Sequence, residues 1–148
     1  MKNNKITYIK FPLLLIGSIL CISGIRWLIS SEPWILDQVA NEERLQMAFN
    51  ELFEIDGNST LSAYLTQIYR FLGLYVLGLG FFLLSFSTSK MLEIVLVRKT
   101  VLYVLGVLLF SNLILAYFWI PSSHFIYVMW GTIILYCVSL YNHIIYYT

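Results

Sequence analysis

Four long stretches of the chain are almost free of charge: Phe11 to Ile29, Ile68 to Phe86, Thr100 to Ile120 and Phe125 to Tyr146. Each is near the ~20 residues that cross a ~30 Å hydrocarbon core. Their apolar residues run continuously rather than alternating, which predicts helices and not the strands of a barrel, and these are the two architectures whose backbones satisfy themselves in lipid. Between them lie one sizeable segment, 30–67, a short connection, 87–99, and a tight turn at Pro121-Ser122-Ser123-His124 that makes the third and fourth spans antiparallel neighbours. The predicted fold class is all-α: a single polytopic membrane domain over residues 1–148, a four-transmembrane-helix bundle with an external amphipathic helix. The two halves differ in loop length and show no internal repeat of the transporter type.

Composition agrees with lipid as the solvent. Hydrophobic residues make up 59% of the 148 and charged residues 11%, against roughly 25% charged in a soluble domain. A soluble chain this short has too much surface to cover with so few polar groups. The basic start followed by an apolar run also describes a signal peptide, but the run is long for one and no A-x-A-like site follows. The residue before Cys21 is Leu20, which does not fit a lipoprotein cleavage site. An uncleaved anchor is expected.

The 11% is more informative than the 59%. Lys2, Lys5 and Lys10 precede the first span, and Lys90, Arg98 and Lys99 lie between the second and third, so both regions are expected in the cytoplasm. Segment 30–67 holds seven of the eight acidic residues and one cation, Arg44, and is expected outside. Trp27, Trp34, Trp119 and Trp130 map to the outer interface and Tyr8, Tyr141, Tyr146 and Tyr147 to the inner one, in agreement. With four spans, the N- and C-termini are both cytoplasmic. The net charge of +1 gives no reason to expect a nucleic-acid partner.

Within the external segment, Ser31-Glu32-Pro33 ends the first helix. Asn41 reads as the N-cap of a new helix with Glu42 and Glu43 in its first turn. Leu45, Ala48, Phe49 and Leu52 then recur at helical spacing. Phe49 and Leu52, with Glu51 on the acidic side, form the candidate partner face, either resting on the mouth of the bundle or docking a partner. Asp56-Gly57-Asn58 is a turn, and Ser59 or Ser62 caps the helix that runs into the second span. At the inner side, residues 91–97 are apolar but too short to span, and suit the membrane interface.

The candidate binding residues are Arg26, Arg70 and Asn112. The two arginines sit at the outer ends of spans, where they either reach the interface or point into an outward-facing vestibule to pair with an external carboxylate or an anionic group. Asn112 lies near the middle of the third span, where a polar side chain bonds to a neighbouring helix or lines a polar cavity. Gly73, Gly78 and Gly80 in the second span and Gly17 and Gly24 in the first permit close helix approach, and Gly17 and Gly24, seven apart, share a face, for packing within the bundle or for dimerisation.

Other motifs carry less. Cys21 and Cys137 lie at similar depth without a C-x-x-C motif and read as packing residues. His124 and His143 fall at opposite faces, the latter beside Asn142, and neither has the companions of a metal site. Residues 54–65 look like part of an EF-hand loop, but Ser59 and Leu65 replace its glycine and its bidentate Glu. Asn58-Ser59-Thr60 is a glycosylation sequon, relevant only in a eukaryote. No metal site and no cofactor motif is identified.

Tyr69-Arg70-Phe71-Leu72-Gly73-Leu74-Tyr75, continuing to Gly78-Leu79-Gly80, places an arginine ahead of a glycine-rich apolar helix after a first span and an external segment. This resembles the DoxX-like small four-helix bacterial membrane proteins, in particular a branch of unknown function. The resemblance implies a four-helix bundle in a bacterial cytoplasmic membrane, with Arg70 matching the family's arginine. Two function classes follow. One is an accessory or interaction protein, or a binder of a lipophilic small molecule at the outer vestibule, with a membrane protein or a second copy as further partners. The other is a membrane oxidoreductase subunit, as some relatives are, or a small transporter. Spans without a carboxylate, a histidine cluster or a cysteine pair favour the first and argue against an enzyme.

Overall fold

The computed structural model describes residues 2–147, with side chains from Lys5 onward, so Lys2 of the basic set lies outside the described side chains. The chain is all-helical, with no strand among the described residues. Its helices are α1 (Lys2–Ile29), α2 (Gln38–Leu45), α3 (Phe49–Glu54), α4 (Leu61–Phe86), α5 (Ser89–Glu93), α6 (Val95–Trp119) and α7 (Phe125–Tyr147), with a 3-10 turn over Pro33–Asp37. Four of them, α1, α4, α6 and α7, are long and apolar enough to cross a membrane. They contain the four stretches read from hydropathy except for Ile120, which follows α6 as its C-cap residue, and each helix but α7 begins well before its apolar stretch. Charge marks where lipid ends, whereas a helix runs on until its backbone bonds are capped.

The four long helices form a curved row in the order α4, α1, α7, α6, with α4 and α6 barely touching. Glycine sets the tightest contact. Gly17 and Gly24 of α1 meet Gly80 and Gly73 of α4: a Cβ on Gly24 would stand 2.6 Å from the Leu77 nitrogen and 2.7 Å from the Gly73 oxygen. The shared glycine face therefore serves packing within the bundle. Gly78 has nothing within 4 Å of its missing Cβ and takes no part. Gly106 plays a separate role on α6, where its lack of a side chain makes room for the Tyr136 hydroxyl of α7.

The core is one apolar cluster that includes Ile9, Leu13 and Ile16 of α1, Leu92 of α5, Leu105 and Leu109 of α6, and Ile133 and Tyr136 of α7. Pro12 stands inside α1 and withholds one backbone donor from the preceding turn. Nearby, buried Ser139 of α7 donates to the Ile9 carbonyl at 2.9 Å and ties the two helices together. The helix pair α1 and α7 does pack, yet the cysteines do not meet. Cys21 is turned against Gly80 of α4 and Cys137 faces outward.

The external helix is a correction. Instead of one amphipathic helix from Asn41, the segment folds as the 3-10 turn, α2 and α3. Gln46 enters the left-handed region at φ 54° and stops α2, and Ala48 opens α3 in an extended conformation. Asn41 is not a cap but an interior residue of α2, and Thr60 rather than either serine precedes α4. The connection over 87–99 is likewise split: α5 ends at Glu93 and α6 already begins at Val95.

Candidate functional site

Both ends of the bundle carry polar structure. At the end formed by residues 30–60 and 120–124, which holds the acidic segment, the 3-10 turn is pinned to the α6–α7 turn by a buried carboxylate. Asp37 accepts from Ser123 Oγ at 2.6 Å and lies 3.1 Å from His124 Nδ1. Ser123 in turn accepts from the Phe125 backbone N–H at 3.2 Å, capping α7. Aspartate, histidine and serine meet here, but both donors point at the carboxylate and the histidine does not stand between the other two. The serine is a clamp and not an activated nucleophile.

Beside this clamp the aromatic residues gather. Trp34 is buried against Phe49 and Phe53, with ring centroids at 6.3 and 5.4 Å. Trp27 packs on Phe125, and Trp130 donates to the Tyr117 hydroxyl at 3.0 Å. Asn41 donates both to the Trp34 carbonyl, at 3.1 Å, and to the Tyr69 hydroxyl of α4, at 3.0 Å. The next residue, Glu42, accepts from Gln38 Nε2 at 2.8 Å and from the Phe49 N–H at 3.0 Å, so that its side chain caps α3 across the Gln46 break. The Gln38 bond and then the Phe49 bond hold its carboxyl below the ordinary glutamate range.

These contacts hold α2 and α3 away from the first turns of α4 and leave a cavity of about 350 Å3. Leu45, Phe49, Leu52, Leu61 and Leu65 give it apolar walls, and Asn41, Arg44 and Tyr69 are its polar groups. A mostly apolar chamber with few polar groups has the make-up of a small-molecule site, at the lower end of the usual range of about 300–1,000 Å3. Of the partner face read from sequence, Phe49 and Leu52 line this cavity, while Glu51 is exposed outside it. Arg26 and Arg70 lie at the same end but are exposed, and neither lines it. The cation that does is Arg44. Its place in an acidic amphipathic stretch reads as an ordinary solvent-facing charge, and its being the lone cation of the segment is the only sequence signal that singles it out.

Asn112 lies elsewhere, in an apolar groove of about 410 Å3 between α4 and α6. It does not bond to a neighbouring helix. Its amide donates to the Leu108 carbonyl one turn back in α6, at 2.9 Å, and Asn142 does the same to Val138 at 2.8 Å. The groove's other walls include Leu20, Leu79, Phe82, Phe86, Val104 and Leu108.

The opposite end carries a residue that the sequence did not single out. Arg98 is 2% exposed. Its Nε donates to His143 Nδ1 at 3.1 Å, its Nη1 to the Leu92 carbonyl at 2.6 Å, and its guanidinium lies 3.9 Å over the Tyr147 ring. An accepting Nδ1 leaves the imidazole proton on Nε2. In sequence Arg98 is one of three cations in a loop; the α5 bend, which turns the Leu92 carbonyl toward it, is what buries it. Lys5 over Tyr146, at 5.2 Å, and Lys10 bonded to Ser89, at 3.2 Å, complete this basic end.

Compared with known proteins, the chain matches no family model, no curated protein and no solved structure.

Proposed function

We propose that this multi-pass membrane protein is an accessory or interaction protein that binds a lipophilic small molecule in an outward-facing vestibule, with both termini in the cytoplasm of a bacterial cell. The carrying observation is the cavity beneath α2 and α3, apolar over most of its wall and sited where α4 leaves the membrane. Membership of the DoxX-like group is part of the same proposal. The ligand site differs in its residues from the one expected from sequence: Arg44, Asn41 and Tyr69 take the place assigned to Arg26, Arg70 and Asn112.

The test is native mass spectrometry of the protein released from native-lipid nanodiscs, comparing wild type with Leu65→Trp, which fills the chamber. A co-purifying lipophilic adduct present in wild type and absent in the variant is the expected result. An adduct equally abundant in both, or none in either, removes the cavity as the binding site.

A further inference from the structure

We infer that the outer cavity selects an amphiphile with an anionic head, a carboxylate or a phosphate, which the Arg44 guanidinium and the Tyr69 hydroxyl bind. This rests on the cavity reading above and adds the chemistry of the ligand.

Arg44 is the sole cation of a segment that carries seven carboxylates. Such a residue would ordinarily be neutralised by one of them, yet among the described residues Arg44 makes no ion pair. Two of the acids are committed elsewhere, Asp37 to Ser123 and His124 and Glu42 to Gln38 and the Phe49 N–H, and Glu43, next to Arg44 in the chain, is exposed and makes no ion pair with it. What holds Arg44 is the Trp119 ring at the end of α6, 4.8 Å from the guanidinium carbon. A cation–π contact uses none of the N–H groups, and among the described residues the Arg44 guanidinium donates no hydrogen bond, which leaves its fork for two oxygens of one anion.

Tyr69 adds a second donor. Its oxygen already accepts the Asn41 amide, and Asn41 is itself fixed by the Trp34 carbonyl. The phenol's own proton is therefore left for another acceptor. Arg44 and Tyr69 line one cavity whose remaining walls are leucine and phenylalanine. An acceptor-rich, charged head joined to an apolar body satisfies both halves at once.

The surrounding carboxylates sharpen the choice. Their summed field repels a small free anion, so a bare phosphate gains little by approaching. An apolar tail supplies burial that offsets the repulsion, at about 25 cal/mol per Å2. A cationic amphiphile would meet Arg44 at the mouth and find no carboxylate among the cavity-lining residues.

The protein in nanodiscs of zwitterionic lipid is titrated with dodecanoate, dodecyl phosphate and dodecanol, radiolabelled and corrected for empty nanodiscs, at a pH where the fatty acid is ionised. Wild type is expected to bind both anions more tightly than the alcohol. Arg44→Gln is expected to weaken the anions by roughly ten- to a hundredfold, as loss of charge-assisted hydrogen bonds does. Dodecanol binding should fall far less than anion binding, an unfolding midpoint in sodium dodecyl sulfate equal to that of wild type shows that the variant is folded, and Arg44→Lys should recover part of the loss. Either anion binding the tighter supports the inference and identifies carboxylate or phosphate as the head. Equal binding of all three probes to wild type overturns it while leaving the cavity reading intact, as does anion binding unaffected by Arg44→Gln. Loss of dodecanol together with the anions in Arg44→Gln also overturns it, because Arg44 would then shape the cavity rather than read the head. If no probe binds in a way that Leu65→Trp abolishes, the cavity reading itself fails.

Discussion

Gly24→Ala tests the contact on which the whole bundle rests. On a free helix the change stabilises, because alanine exceeds glycine in helix propensity by about 1 kcal/mol. Here the new methyl would lie 2.6 Å from the Leu77 nitrogen and 2.7 Å from the Gly73 oxygen. Both are backbone atoms and cannot rotate away, so α1 and α4 must separate by about 0.8 Å to restore an ordinary 3.4 Å contact. A gap of that size forfeits a quarter to a half of each dispersion contact at ~0.1–0.2 kcal/mol, or ~2 kcal/mol over some forty atom pairs. The usual cost of overpacking, ~1–3 kcal/mol, agrees. Set against the propensity gain, Gly24→Ala should destabilise by ~1 kcal/mol, within a range of ~0–2 kcal/mol. Gly78→Ala, with nothing within 4 Å of the new methyl, should gain up to ~1 kcal/mol. Unfolding by sodium dodecyl sulfate in mixed micelles, followed by tryptophan fluorescence, reads both midpoints on one scale. If Gly24→Ala matches or exceeds Gly78→Ala in stability, the close approach of α1 and α4 does not exist.

Three further expectations follow from particular contacts. Arg98→Met and His143→Phe should show a coupling of ~1.5–3 kcal/mol in a double-mutant cycle, as for a hydrogen bond with a charged donor; strictly additive losses would mean that the 3.1 Å bond contributes nothing. Glu42, whose folded carboxyl titrates below its unfolded value, stabilises the α2–α3 corner fully above the unfolded pKa near 4.5 and loses that contribution as pH falls through the lower folded value. Exchange protection of the Phe49 amide, corrected for intrinsic rates, should follow that course and vanish in Glu42→Ala; protection that persists in the variant refutes the cap. With a membrane-impermeant maleimide applied to intact cells, Glu51→Cys should be labelled and Lys90→Cys should not, and the reverse pattern would invert the topology.

The membrane architecture was legible from the chain because transferring a side chain to lipid has a cost per residue that hardly depends on its neighbours. That is why four spans, the antiparallel α6–α7 pair and the glycine-faced helices can be read from a string of letters. The division of charge is as plain: the carboxylates of 30–67 and the cations of 87–99 do stand at opposite ends of the bundle. Where the external segment breaks was not legible, since Gln46 is an ordinary helix former. It takes the left-handed conformation because Glu42 reaches over it to cap α3 and Trp34, Phe49 and Phe53 pack together behind it.

Side-chain partnership belongs to the tertiary structure alone. Arg26, Arg70 and Arg44 are alike as letters, each a cation near the acidic end of the bundle. All three are exposed, but the bend of α2 sets Arg44 alone against Trp119 and in the lining of a cavity. Arg98 is likewise one of three loop cations until α5 folds back and buries it between His143 and Tyr147. Asp37 meets Ser123 across 86 residues, a pairing that no local pattern encodes. Transfer free energy is a property of one residue and is written in the sequence position by position. A hydrogen bond or a stacked cation needs two side chains brought within a few ångströms, and only the packing of the helices decides which two.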